Sequence, residues 1–141
     1  MKILSIGALL LATTVSTTSM SLFTATAANA DSCWNHNGSI MRLKASGKKR
    51  WFYYEHPRPG LAVGPGTLLF NGKNRGGYYS GNARVFSRFN RGNPLQYHVE
   101  GPVSNNQTRI TMRGSREIWR GGQPTGRYKK DTLVFTYQYQ C

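Results

Sequence analysis

From residue 31 onward, apolar positions recur in short alternating runs and never at sustained helical spacing. Ile40 to Ala45 sets Met41, Leu43 and Ala45 on one side and Arg42 and Lys44 on the other. Ser46-Gly47-Lys48 then reads as a hairpin turn, and Arg50 to Glu55 as the returning strand. Thr67 to Phe70 is a buried-type strand that the turn dipeptide Asn71-Gly72 is expected to end. Gly77 to Ser87 predicts a strand bulged at Gly81, and Leu95 to Glu100 a short one. Thr108 to Arg113 alternates arginine with apolar residues, Arg116 to Arg120 is short and strand-like, and Thr132 to Gln140 alternates cleanly.

These eight short strands predict an all-β domain over residues 31–141. The connections between them, among them Pro57 to Pro65, Arg88 to Pro94 and Gly121 to Gly126, are rich in glycine and proline. A small antiparallel up-and-down β-barrel is the expected architecture, with a two-sheet β-sandwich as the alternative. The cysteines favour the barrel. Only Cys33 and Cys141 are present, and an even pair in an exported chain implies a disulfide. The bridge needs Cα atoms roughly 4.4–6.8 Å apart. That makes the first and last strands neighbours and removes the sheet's free edges.

Export is read from the N-terminus. Lys2 precedes the apolar run Ile3 to Ala12, and the small residues that follow end in Ala28-Asn29-Ala30. This is the pattern of a cleaved signal peptide over residues 1–30, with Asp31 first in the mature chain. The apolar run falls well short of the roughly 20 residues that a membrane-spanning helix needs. A periplasmic or secreted protein is expected.

Charge changes the picture next. Nineteen lysines and arginines face five acids, for a formal net charge of +14. Such an excess favours anionic partners: acidic lipid, acidic glycan or nucleic acid. A protein partner is the other expectation. Arg109, Arg113, Arg116 and Arg120 are expected to form one basic contact face.

Chemistry concentrates in Trp51-Phe52-Tyr53-Tyr54-Glu55-His56-Pro57-Arg58-Pro59-Gly60, a strand running into a proline-stiffened loop. Tyr54, Glu55, His56 and Arg58 are its candidate binding residues. Glu55, His56 and Arg58 together would also supply a general base, a general acid and a phosphate clamp, the set a small secreted ribonuclease uses. Against this, adjacent strand residues point to opposite faces. His36, His56 and His98 are scattered without ligand spacing, and His36 lies in a stretch that reads as a turn. Cys33-Trp34-Asn35-His36 has a C-x-x-H spacing but no second paired motif. No nucleophile elbow, zinc-protease, phosphate-loop or dinucleotide motif occurs, so neither a cofactor nor a metal is expected.

The phrases Trp34-x-His36-Asn37-Gly38-Ser39-x-Met41, Tyr53-Tyr54-x-x-Pro57-Arg58-Pro59-Gly60 and Gly66-Thr67-Leu68-Leu69-Phe70-x-Gly72 occur together. In these the chain resembles a group of small exported α-proteobacterial proteins, similar modules of which are joined to caspase-like peptidase domains. The resemblance implies a periplasmic or secreted domain and carries no catalytic residue.

The residues therefore point to a non-catalytic exported binding domain for an anionic or protein partner. A barrel holding a small ligand is the first alternative, and the ribonuclease-like enzyme the second. A hollow interior of roughly 300 Å³ or more would favour the small-ligand barrel.

Overall fold

The computed structural model describes residues 31–90 and 92–141; the expected signal segment, residues 1–30, lies outside them. Eight strands follow in chain order: β1 (Ser32–His36), β2 (Ser39–Ser46), β3 (Lys49–His56), β4 (Leu68–Arg75), β5 (Tyr78–Val85), β6 (Leu95–Pro102), β7 (Arg109–Arg120) and β8 (Gln123–Gln140). Each pairs antiparallel with its neighbours, and β1 pairs with β8, so the sheet is a closed up-and-down barrel. The sandwich is excluded. Among the described residues there is no helix long and apolar enough to cross a membrane.

The strand count agrees with expectation, but the boundaries differ in instructive ways. Trp34 to His36 belong to a first strand, and the turn is Asn37-Gly38, where φ is 51° and 84°. Positive φ at both central positions is what a tight hairpin of this hand requires. The two short runs expected over residues 108–120 are one twelve-residue strand, and β8 begins nine residues before Thr132.

Asn71-Gly72 does not turn the chain. Gly72 sits in mid-strand opposite Gly81, and a Cβ there would come 2.3 Å from the Ser80 carbonyl oxygen and 2.6 Å from Phe70 Cζ. Glycine is present for close approach, and no bulge occurs at Gly81. Gly76-Gly77 makes the turn instead.

Alternation fills the barrel. Met41, Phe52, Phe70, Val99, Ile110, Met112 and Phe135 are fully buried. Phe52 stacks on Phe135 with centroids 3.9 Å apart, and Trp34 meets Phe52 edge-on at 6.2 Å. These rings make a packed floor. At the end where β1, β3, β5 and β7 finish, the inward positions become polar: His36, Tyr97, Arg116 and Asp131. The longest connections, 57–67 and 86–94, lie at this same end.

Cys33 and Cys141 form the expected disulfide, with Cα atoms 5.2 Å apart. The bridge sits at the opposite end, where the Asp31 carbonyl oxygen also accepts from the Cys141 N–H and the Gln140 side chain.

Two outcomes follow from this packing. The double substitution Cys33→Ala/Cys141→Ala is expected to cost about 4–5 kcal/mol in urea unfolding, because the bridge closes nearly the whole chain; a loss below ~1 kcal/mol would mean that β1–β8 pairing holds unaided. Gly72→Ala is expected to cost ~1–3 kcal/mol by overpacking, read from the same titration.

Candidate functional site

The polar end of the barrel encloses a chamber of about 290 Å³. His36 and Asn37 border it from the β1–β2 hairpin, and Tyr54, Arg58 and Leu61–Val63 from β3 and the loop after it. Arg84–Phe86, Tyr97, Arg116 and Asp131–Leu133 complete the wall. The β3–β4 loop is tied to the rim by backbone bonds from Gly66 N to Tyr54 O at 2.7 Å and from Tyr54 N to Thr67 O at 2.9 Å. The Arg58 N–H donates to the buried Ser39 hydroxyl at 2.9 Å, so Pro57-Arg58-Pro59 is anchored as well as stiff.

A polar cluster lies at the base of the chamber. Tyr97 Oη donates to Asp131 Oδ2 at 2.5 Å, and Arg116 Nε approaches the same oxygen at 3.4 Å as an ion pair. Burial, and then the bond to Asp131, push the Tyr97 phenol well above its ordinary range, so it remains a donor. Asp131 Oδ1 accepts the Thr132 N–H at 3.1 Å. A carboxylate has about four acceptor sites, so Oδ1 retains one for a further donor.

His36 faces the chamber from the other side. Its ring stacks on Phe135 at 4.6 Å, and Nδ1 lies 2.9 Å from the Val134 carbonyl oxygen, to which it donates. Burial lowers its pKa more than that bond raises it, so the ring is neutral near pH 7.

The sequence candidates separate. Tyr54 and Arg58 line the chamber. Glu55 does not join His56 and Arg58: both of its oxygens accept from Arg42, at 2.7 Å each, on the outer wall. That bond holds the Glu55 carboxyl below its usual range, so the base of the expected ribonuclease set is already engaged.

The expected single basic face is also corrected, by strand parity. Arg109 and Arg113 share the solvent face, whereas Arg116 has the parity of Ile110 and Met112 and turns inward. Arg120 is exposed at the far end of β7. Tyr97, Asp131 and the loop residues Leu61–Val63 carry no motif that singles them out in the sequence, and His36 reads there as a turn residue. The parity of Asp131 with Leu133 and Phe135 was a readable signal for one of them.

The chain matches no protein-family profile and no curated protein. Solved structures do share its fold. The rhizavidin–biotin complex superposes with a TM-score of 0.55 at 17% identity, covering 79% of this chain and 94% of rhizavidin. Apo short afifavidin gives 0.52 at 16% identity, with 77% and 96% covered. The short afifavidin–biotin complex gives 0.51 at 16%, with 77% and 89% covered. These likenesses define the class of the fold, an avidin-like eight-stranded barrel.

They also overturn the partner expected from charge. Rhizavidin and short afifavidin were solved in complex with biotin, a small molecule, rather than with an acidic lipid, glycan, nucleic acid or protein partner.

Burial of neutral His36 sets a pH dependence. Its folded pKa lies below the ordinary 6.5, so the unfolded chain binds the extra proton and stability falls as pH drops through and below that value. His36→Gln is expected to flatten this slope in melts between pH 7.5 and pH 4.5; an unchanged slope would assign it to other groups.

Proposed function

We propose that this chain is an exported small-ligand-binding barrel that takes its ligand into the chamber at the loop end. The observation that carries the reading is the change of character along the barrel axis, from stacked aromatics to an open, polar-lined space of about 290 Å³. Concave sites with a few convergent polar groups in the mouths of barrels are where small molecules bind. Asp131 offers an acceptor to a ligand N–H or O–H, while Arg116 and Arg58 offer donors to a carbonyl or similar oxygen. Leu61, Val63 and Leu133 supply apolar wall.

This donor and acceptor set suits a compact ring compound carrying both kinds of group. The biotin complexes of rhizavidin and short afifavidin support the same choice and make biotin the first probe. The disulfide supports a periplasmic or secreted location, where thiols stay oxidised.

Calorimetric titration of the oxidised protein with biotin and a panel of small polar ring metabolites tests the reading. At least one is expected to bind one per chain, and Asp131→Asn to weaken it ~10- to 100-fold through loss of a charged hydrogen bond. Arg58→Ala provides a rim variant on an exposed loop. Silence across the panel, or a ligand indifferent to both variants, overturns the proposal.

A further inference from the structure

Beside the chamber lies a second cavity of about 240 Å³ with a different chemistry. It runs between the β5–β6 loop and the β7–β8 hairpin, walled by Val85, Phe89, Leu95 and Trp119. Val85 and Arg116 border both cavities, so the two spaces adjoin across a shared wall. Among the described residues, Ser87, Asn90 and Arg116 join the apolar and aromatic wall of the second cavity, which has fewer charged groups than the first.

Phe89 is 58% exposed, and its loop is held in place by several bonds. Asn90 Oδ1 accepts from Ser87 N at 2.8 Å and from Ser87 Oγ at 2.7 Å, and Asn90 N returns to Ser87 O at 3.3 Å. The Arg88 guanidinium lies over the Phe89 ring at 4.8 Å. From the hairpin side, Gly122 backs the loop so closely that a Cβ there would come 3.2 Å from Phe89 Cβ. Trp119 is oriented too, its indole N–H donating to Glu117 Oε2 at 3.2 Å. Two aromatics beside an apolar wall, open to solvent and adjoining the polar chamber, form a seat for a flat apolar group.

We propose that the ligand has two parts: a polar ring head held in the chamber, and a flat aromatic arm that lies against Phe89 and Trp119 in the adjoining cavity. The proposal rests on the small-ligand reading above and extends it. Size agrees with it. The chamber alone lies at the lower limit of the roughly 300–1,000 Å³ of ordinary small-molecule sites, and the two cavities together fall well within that range. Arg116, bordering both, would contact the junction between head and arm.

The arm site is tested with the neutral fluorescent probe N-phenyl-1-naphthylamine, which carries no charge for the surrounding arginines to attract. Emission enhancement at one probe per chain is expected, with Kd raised ~10-fold, about 1.4 kcal/mol, by Trp119→Ala and by Phe89→Ser. Lys44→Gln, on the outer wall of β2, should change it by less than ~2-fold. Phe89 is exposed and its replacement leaves the barrel interior untouched, so that variant remains informative if Trp119→Ala disturbs the hairpin. Absence of probe binding, or binding indifferent to both aromatic variants, overturns the arm site and leaves the chamber to stand on its own titration. Probe binding that needs Trp119, combined with a failed chamber titration, overturns the two-part ligand along with the small-ligand reading.

Discussion

The pairing of β1 with β8 is the contact on which the rest of the molecule depends. Ser32 lies opposite Gln140 and Asn35 opposite Thr136, and the Cys33–Cys141 bridge fastens the same seam at its outer end. Without that ladder the sheet would have two long edges, each a row of unpaired backbone groups open to any passing strand. With it, every inward side chain is directed at a common axis. Phe52 from β3 can then stack on Phe135 from β8, strands far apart in sequence. The closure also separates the two ends: one is sealed by short turns and the bridge, while the other carries the long loops and stays open.

Closure explains why a chain with so many cations has an interior chemistry that its net charge does not describe. The five acids are all engaged. Asp31 and Glu55 hold Arg42, Glu100 lies near His98, Glu117 holds the β7–β8 hairpin, and Asp131 receives Tyr97 and Arg116. Four of these are on the outer wall or at the hairpin. Asp131 alone is placed by strand parity inside the mouth. The exposed lysines and arginines are more numerous, but water and salt screen their interactions.

The two ends also divide stability from function. Stacked rings and bridged termini at the sealed end tolerate little change, because a close-packed interior responds to a single methyl group. At the open end, the Arg58 N–H bonds Ser39 and the Asn90 side chain bonds Ser87, without filling the space between the two loops.

Period-two alternation, glycine punctuation and a cysteine near each end of the domain were enough to determine an all-β closed barrel of eight strands. They pointed to Tyr54, Glu55, His56 and Arg58 together at a strand-to-loop junction, and of these only Tyr54 and Arg58 line the chamber. Alternation says which face a residue takes, but not how high it sits along the barrel or which distant strand it meets. Hence Glu55, His56 and Arg58 looked like a set, although Arg42 across the β2–β3 ladder had taken Glu55. Tyr97, Arg116 and Asp131 stand on the consecutive strands β6, β7 and β8, and the register of those two ladders brings them to one layer. Propensity is local, whereas a site built across strands is set by register, and register is decided by how the whole sheet closes.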